Sequence, residues 1–179
     1  MLNPYNIILV IARIYPLIVQ ILSFLLYFIN FDNDFIILGT VIMLSEIINA
    51  GLKNLVFKPL MGDKHYPILG LGRRPDGANN CGLYYVGKNN ISTSYGMPSG
   101  HSQNSAVFST FILMKILDSE LPNIYKISSI IVFPLLLIYI MWSRVYLGCH
   151  TIQQTIIGSS IGISIGYFVY NYFNKKKDE

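Results

Sequence analysis

The chain has 179 residues, the length of one domain, and it is 53% hydrophobic and only 12% charged. This composition is too apolar for an ordinary soluble protein of this size and predicts an integral membrane protein. The net charge of +4 does not indicate a nucleic-acid-binding protein, because the basic residues form no stripe with interleaved stacking aromatic side chains. We expect the positive charge to interact with anionic lipids instead.

Five segments are apolar enough to cross a bilayer as helices, which takes about 20 residues each. In chain order they are 7–29, 35–57, 99–117, 127–142 and 152–173. The first segment lacks an Ala-x-Ala-like cleavage site and is longer than the apolar core of a signal peptide, so we expect it to be a retained span. The sequence therefore predicts an all-α bundle of about five transmembrane helices, with residues 1–179 in a single domain.

A polar segment of about forty residues, 58–98, joins the second and third predicted spans, and loops of this length are usually functional or disordered. Because consecutive spans run in opposite directions, this loop lies on the same side of the membrane as the turn between spans four and five. The basic and histidine residues on that side include Lys53, Lys58, Lys64, Arg73, Arg74, His101, Arg144 and His150. Ionisable groups at a membrane border are costly, so their convergence indicates a functional site.

The third predicted span begins at the sequence Pro98-Ser99-Gly100-His101. Proline suits the first turn of a helix, where its missing N–H is not needed, so we expect the amides of residues 99–101 to be unpaired. A helix N-terminus of this kind binds phosphate, Gly100 lets the backbone come close, and the hydroxyl of Ser99 adds a donor. The segment therefore predicts a phosphate-binding helix start.

A second polar cluster lies where span four ends at Arg144 and span five begins at His150. The short turn between them should bring a guanidinium, which can hold two phosphate oxygens, close to an imidazole. Gln154 lies four residues after His150, on the same helical face, and can accept the proton of one ring nitrogen so that the other attacks phosphorus. A nucleophile, a proton donor and surrounding positive charge are what phosphoryl transfer requires.

These two clusters resemble two motifs of the type 2 phosphatidic acid phosphatase superfamily, Pro-Ser-Gly-His and Ser-Arg-x5-His. The resemblance covers about residues 49–165, the catalytic core. It implies that His150 is the nucleophile, which forms a phosphohistidine, and that His101 protonates the leaving group. It also implies a set of phosphate ligands: Arg144, counted with the catalytic residues, and Arg74, Ser99 and Gly100.

The superfamily's remaining motif, Lys-x6-Arg-Pro, is present only as Arg74-Pro75, because Pro67 stands where the lysine belongs. We assign the role of the phosphate-binding lysine to Lys53, on the polar face of the second span. Residues 55–73 would then be an insertion that loops out. Two other lysines stay open as alternatives: Lys58 and Lys64.

Gln154 departs from the superfamily's general pattern, which has Asp at this position. A neutral acceptor orients the ring but does not stabilise an imidazolium, and the comparable change in serine proteases costs about 10⁴ in rate. The glucose-6-phosphatase and dolichyl diphosphatase branches are similar to this chain in carrying Gln there. The dolichyl diphosphatase branch also resembles the chain over 96–103 and 143–154, which implies a polyprenyl diphosphate substrate.

Two further functions stay open. The first is a phosphatidic acid or lysolipid phosphatase, since the motifs do not define the lipid. The second belongs to a different class: a lipid-binding or scaffolding membrane protein that has lost turnover through Gln154 and the incomplete first motif. We expect no cofactor and no metal, because the three histidines and nine acidic residues show no Zn or Mg ligand spacing.

The C-terminal residues 175–179, Lys-Lys-Lys-Asp-Glu, resemble the dilysine retrieval signal of endoplasmic-reticulum membrane proteins. Such a signal would place the site in the lumen, although a charged cap at the headgroups explains the tail at least as well. We favour two free thiols at Cys81 and Cys149, with a disulfide as the alternative if their side of the membrane is oxidising.

Other polar and small residues within the spans predict packing. Glu46 either supports the site or pairs with Arg13, because buried charges need partners. Glycines at 158, 162 and 166 continue the face of His150 and Gln154, and this spacing predicts close contact between the last span and a neighbouring helix.

Overall fold

The computed structural model describes residues 4–78, 81 and 92–175, in which five long helices form a bundle. The helices are α1 (Pro4–Asn30), α2 (Asn33–Gly51), α4 (Gly100–Asp118), α5 (Asn123–Tyr146) and α6 (Ile152–Lys175). A π-helical segment, Leu52–Phe57, and a short helix α3 (Lys58–Met61) extend α2. Each predicted span is a helix, so the predicted all-α fold is confirmed. The last four residues of the tail lie outside the described residues.

Among the described residues, three helical segments are long and apolar enough to cross a membrane: Ile8–Asn30, Asn33–Met61 and Asn123–Tyr146. The protein is therefore an integral membrane protein. The less hydropathic helices, α4 and α6, lie against each other and carry polar side chains on their buried faces. These side chains include Ser102, Gln103, Asn104, Ser105, Gln154, Thr155 and Ser159.

Helices α4 and α6 approach closely because α6 presents glycine at every fourth position. A Cβ atom at Gly158 or Gly162 would overlap backbone carbonyl oxygens of α4 and its N-cap, and one at Gly166 would lie 2.8 Å from the carbonyl oxygen of Val107. The predicted close contact of the last span is confirmed. It also places the first turn of α6 beside the first turn of α4.

Replacing Gly162 by alanine should destabilise the bundle by about 3 kcal/mol, because the added methyl group meets the carbonyl of Gln103 rather than a movable side chain. Gly51→Ala is the matched control, since no neighbouring group of the described chain lies within 4 Å of the position that its methyl group would take, and alanine favours helix. Thermal unfolding in detergent should show a lower midpoint for the first variant and an unchanged or higher one for the second. Equal midpoints would contradict this packing.

An apolar core fills the middle of the bundle, between the polar site and the opposite end. Its buried side chains come from all five long helices: Ala12, Tyr15, Val19, Leu38, Ile42, Val107, Phe108, Phe111, Ile140 and Tyr170. At the opposite end, Lys115 of α4 pairs with Asp32 at 2.6 Å and Asp34 at 2.5 Å. The core thus holds α1, α2, α4, α5 and α6 in one unit whose other end carries the predicted catalytic residues.

The segment between α3 and α4 begins with a two-stranded antiparallel hairpin, β1 (His65–Tyr66) and β2 (Gly70–Leu71). The chain then returns to the bundle, where the Met97 amide donates to the carbonyl of Gly72 at 2.9 Å. Much of the segment that we expected to loop out, 55–73, is therefore helix or hairpin. Its backbone ends beside the first turn of α6.

The two cysteines form a disulfide, Cys81–Cys149, which links this segment to the turn between α5 and α6. Our preference for two free thiols was therefore wrong. Sequence alone did not decide the pairing, because the two positions are separated by 68 residues and meet only through the packing of the loop.

Candidate active site

The first turn of α6 and the turn before it place the predicted nucleophile, His150, in the interior, with only 5% of the residue exposed. Its Nδ1 atom lies 2.9 Å from Oε1 of Gln154. Gln154 is itself fully buried, and its amide nitrogen donates to the carbonyl oxygens of Leu71 at 2.8 Å and Arg73 at 2.7 Å.

Those two carbonyls determine the orientation of the Gln154 amide. A carbonyl oxygen only accepts hydrogen bonds, so the NH₂ group must face Leu71 and Arg73 and the oxygen must face His150. The proton of His150 is then on Nδ1, and Nε2 keeps its lone pair. The arrangement produces the tautomer that an attacking imidazole needs.

Burial, together with the positive charges of Arg74 and Lys53, lowers the pKa of His150 well below its usual range. The hydrogen bond to Gln154 acts in the opposite direction but does not outweigh these effects. At neutral pH the ring is therefore uncharged, which is the nucleophilic form.

Arg144 is 1% exposed and lies at the end of α5. Its Nε donates to Oγ of Ser143 at 3.2 Å, and Nη1 donates to the carbonyl of Cys81 at 3.4 Å. Nη2 is buried and has no hydrogen-bond partner among the described residues. A buried guanidinium nitrogen without an acceptor is costly, so Arg144 has a donor available for an anion.

Arg74 lies in the loop after the hairpin and is fixed from two sides. Its Nε and Nη2 donate to the carbonyl and Oγ of Ser94 at 3.1 and 2.8 Å, and its Nη1 donates to the carbonyl of Cys149 at 3.0 Å. Burial lowers the pKa of Arg74, but an arginine stays protonated throughout the physiological range. Its charge therefore faces His150 in a fixed position.

The disulfide supports both arginines, because the carbonyl of Cys81 accepts from Arg144 and that of Cys149 accepts from Arg74. Reduction should lower the stability of the protein by up to about 4 kcal/mol, the chain-entropy estimate for a loop of this length. It should also raise KM several-fold as the arginines lose their fixed positions. Measurements of the thermal midpoint and of KM at increasing dithiothreitol concentrations check both effects.

The control for the disulfide prediction is the Cys81→Ala/Cys149→Ala double variant, which should match the reduced protein and not respond to dithiothreitol. A reduced protein with unchanged KM would contradict the link between the disulfide and the two arginines.

Of the three candidate lysines, Lys53 is the one whose charge acts on both predicted catalytic histidines, and it also acts together with Arg74. It is half-buried in the π-helical segment. Lys58 lines a surface pocket beside Arg74, and Lys64 is exposed next to the hairpin. These charge effects favour Lys53 over Lys58 and Lys64, and its role as the phosphate-binding lysine stays a prediction.

The start of α4 differs from the expectation in one respect. The helix begins at Gly100, with Ser99 as its N-cap, and Pro98 lies outside it after a cis peptide bond. The Ser99 amide donates to the carbonyl of Gln154 at 3.0 Å, and its hydroxyl accepts from Ser102 at 3.1 Å. The expectation of three unpaired amides was thus wrong for Ser99, because the close approach of α6 supplies an acceptor.

His101, in the first turn of α4, lies with its Nε2 atom 2.9 Å from the carbonyl oxygen of Arg13 in α1. Because that carbonyl only accepts, Nε2 carries the proton, and Nδ1 is the atom that can receive a second proton and pass it on. The charges of Arg144, Lys53 and Arg74 act on His101 as well. The helix α1, which carries no family motif, therefore orients this ring.

Sequence reasoning missed a buried amide network that joins α2 to α4. The side-chain nitrogen of Asn49 donates to Gln103 at 2.8 Å and to the carbonyl of Pro98 at 3.3 Å. Gln103 in turn donates to the hydroxyl and carbonyl of Ser45, both at 2.8 Å. The signal was present in the sequence, since Ser45, Asn49 and Gln103 are polar residues inside predicted spans.

Comparison with known proteins agrees with this fold. Dolichyldiphosphatase 1 of Dictyostelium discoideum is 36% identical over 80 residues, which cover 43% of this chain and 35% of that relative's length. The crystal structure of the first transmembrane PAP2 type phosphatidylglycerolphosphate phosphatase from Bacillus subtilis has the same fold, with a TM-score of 0.62 and 22% identity over 90% of this chain and 68% of that chain. The PAP2 superfamily matches residues 34–178, most of the chain, and the chain therefore belongs to that superfamily.

Proposed function

We propose that the protein is a membrane phosphatase that hydrolyses a lipid-linked phosphate or diphosphate through a phosphohistidine on His150. The observation that carries this proposal is the buried pair of His150 and Gln154, in which backbone carbonyls fix the amide and the amide fixes the ring. The pair leaves Nε2 of His150 with a lone pair among positive charges, where a phosphate would lie.

In the first step, Nε2 of His150 attacks the terminal phosphorus in line, and the bond from phosphorus to the leaving oxygen breaks. The electron pair of that bond goes to the leaving oxygen, which takes a proton from Nδ1 of His101; the ring acquires this second proton from solvent when the anionic phosphate binds beside it. Arg144, Arg74 and Lys53, with the free amides at Gly100 and His101, stabilise the charge on the equatorial oxygens. The free donor of Arg144, its Nη2, is suited to this role.

In the second step, a water oxygen attacks the phosphorus of the phosphohistidine while Nδ1 of His101, now without its proton, accepts a proton from the water. The nitrogen–phosphorus bond breaks, its electron pair returns to Nε2 of His150, and inorganic phosphate leaves. Each residue is then in its starting protonation state. The hydrogen bond to Gln154 can persist through both steps, because Nδ1 of His150 keeps its proton throughout.

We favour a polyprenyl diphosphate as the substrate. Support comes from the relative named dolichyldiphosphatase 1 and from Gln154, a position at which the chain resembles that branch. Gln154 also argues against an inactive lipid-binding protein, because two carbonyls hold its amide in the orientation that His150 requires. A phosphatidic acid or lysolipid phosphatase is the alternative within the same chemistry.

We further propose that the site faces the lumen of the endoplasmic reticulum. The Cys81–Cys149 disulfide supports an oxidising compartment on the site's side of the membrane. The dolichyldiphosphatase relative and the lysine-rich tail are consistent with that organelle. Because both cysteines are buried, the orientation is tested by comparing their labelling with a membrane-impermeant thiol reagent in reduced microsomes that are sealed and in ones that detergent has opened; labelling only in the opened microsomes supports a luminal site.

The experiment that tests the activity is phosphate release by the purified protein in detergent from polyprenyl diphosphate and phosphatidic acid in parallel, in EDTA. His150→Ala controls for contaminating phosphatases. Release from the diphosphate that the variant lacks supports the favoured function, and preference for phosphatidic acid supports the alternative. Release from neither lipid by folded protein would refute both.

A further inference from the structure

A cavity of about 390 Å³ lies between α1, α2 and α4, on the α1 side of His101. We call it the α1 cavity. The polar residues that line it are Arg13, Gln20, Glu46, Asn49, His101 and Asn104. His101 lines this cavity, and the charges of Arg144, Lys53 and Arg74 act on the same ring. The α1 cavity is therefore next to the group that protonates the leaving oxygen.

Arg13 is a charged residue that lines this cavity from within the first helix. It lies nine residues after the first residue of α1, which corresponds to a depth of about 14 Å along the helix. Among the described residues, its guanidinium makes no ion pair and no hydrogen bond; the interaction it does make, with His101, uses its backbone carbonyl. A half-buried cation at membrane depth needs a partner.

Glu46 is not that partner, although sequence reasoning left the pairing open. The carboxylate of Glu46 accepts from the amide of Asn104 at 3.1 Å, and no atom pair of Glu46 and Arg13 lies within ion-pair distance. Of the two alternatives that the sequence left open for Glu46, the structure therefore does not show the pair with Arg13. Within the described part of the chain, the guanidinium of Arg13 therefore has no anion as a partner.

We propose that the α1 cavity is the subsite for the retained phosphate of a lipid diphosphate, and that Arg13 binds it. In hydrolysis of a lipid diphosphate, the oxygen that leaves the terminal phosphorus belongs to the second phosphate, so that phosphate must lie beside His101. When a phosphomonoester is hydrolysed, the leaving group beside His101 is an uncharged alcohol, which does not pair with the charge of Arg13. Arg13 thus selects diphosphate over monophosphate substrates.

This inference rests on the proposed function and refines its substrate class. Glu46 opposes an anion in the same cavity, and its bond to Asn104 limits but does not remove that effect. The proposal therefore predicts opposite effects for substitution of Arg13 and of Glu46. Removing Arg13 should weaken diphosphate recognition, whereas removing the charge of Glu46 should not.

The test measures kcat/KM for a polyprenyl diphosphate and for the monophosphate of the same chain. Arg13→Gln should lower the value for the diphosphate by about 10- to 100-fold and leave that for the monophosphate within about twofold, the loss expected for one charged hydrogen-bonding partner. Arg13→Lys should retain more of the preference, and Glu46→Gln should keep it at or above the wild-type level. An equal fall for both lipids, or a fall of the preference in Glu46→Gln as large as in Arg13→Gln, would overturn the proposal.

A binding measurement keeps the test independent of turnover. In a His150→Ala background, Arg13→Gln should weaken binding of a polyprenyl methylenediphosphonate about tenfold or more and leave binding of the matching monophosphonate unchanged. If wild-type protein hydrolyses neither lipid, the proposed function fails, while this measurement still decides the role of Arg13. Equal affinities with and without Arg13 would overturn the subsite.

Discussion

Substitution of His150 by alanine should lower kcat by at least about 10⁴-fold for every lipid phosphate that the protein hydrolyses, because His150 is the proposed site of the covalent intermediate. The residue is only 5% exposed, and its hydrogen bond to Gln154 fixes its tautomer for attack. KM should change little, since the proposed phosphate contacts come from Arg144, Arg74 and the start of α4.

The measurement is rapid quench with a lipid that carries radioactive phosphorus in its terminal phosphate. Wild-type protein should retain an acid-labile, alkali-stable label in the first turnover, and His150→Ala should retain none. The chain has only three histidines, so His65→Ala is a suitable control: His65 is exposed in the hairpin, and its variant should label and turn over as the wild type does. Label that persists in His150→Ala would show that another residue is the nucleophile.

The helices could be predicted closely, because the apolar runs that form them are long and the boundaries are marked by polar or turn residues. The predicted span 152–173 corresponds to α6, which runs Ile152–Lys175, and 99–117 corresponds to α4, which runs Gly100–Asp118. The contact between these two helices was also predictable, because glycine at every fourth position leaves one face of α6 without side chains.

Contacts made by backbone groups could not be predicted. The carbonyl of Arg13 orients His101, and the carbonyls of Leu71 and Arg73 orient Gln154, but a carbonyl has no sequence signature. Its position depends on how α1 and the long loop pack against the bundle. For the same reason the disulfide was missed, since Cys81 reaches Cys149 only when that loop folds back.

The lysine of the incomplete first motif could be predicted from the sequence only in part. Helical spacing placed Lys53 on the polar face of α2, although the structure continues α2 as a π-helical segment there. The assignment needed the return of Arg74 to the bundle, which brings the two charges together near both histidines. Spacing alone left Lys58 and Lys64 as alternatives, because it contains no information on the path of residues 62–78.

Gln154→Glu should lower kcat/KM by about 10²- to 10³-fold, although an acidic residue at this position is the general pattern of the superfamily. The glutamate carboxylate has no hydrogen to donate, so one of its oxygens would face the carbonyls of Leu71 and Arg73, which now accept from the amide at 2.8 and 2.7 Å. Leaving buried acceptors unpaired costs about 1–3 kcal/mol each, and the negative charge adds repulsion. Displacement of Arg73 would also move its neighbour, the phosphate ligand Arg74.

The expectation from electrostatics alone is the opposite, since a carboxylate near His150 would stabilise an imidazolium and strengthen the orienting hydrogen bond. We expect the loss of the hydrogen bonds to the loop carbonyls to outweigh this gain, because those carbonyls surround the side chain that would carry the charge. Gln153→Glu is the matched control: it makes the same chemical change one residue earlier, at a half-buried side chain beside Gly70, and should leave kcat/KM within about threefold. Kinetics at pH 7, with thermal midpoints to confirm folding, separates the outcomes. Higher activity in Gln154→Glu would mean that the loop rearranges around the carboxylate. The backbone around this position would then not require a glutamine.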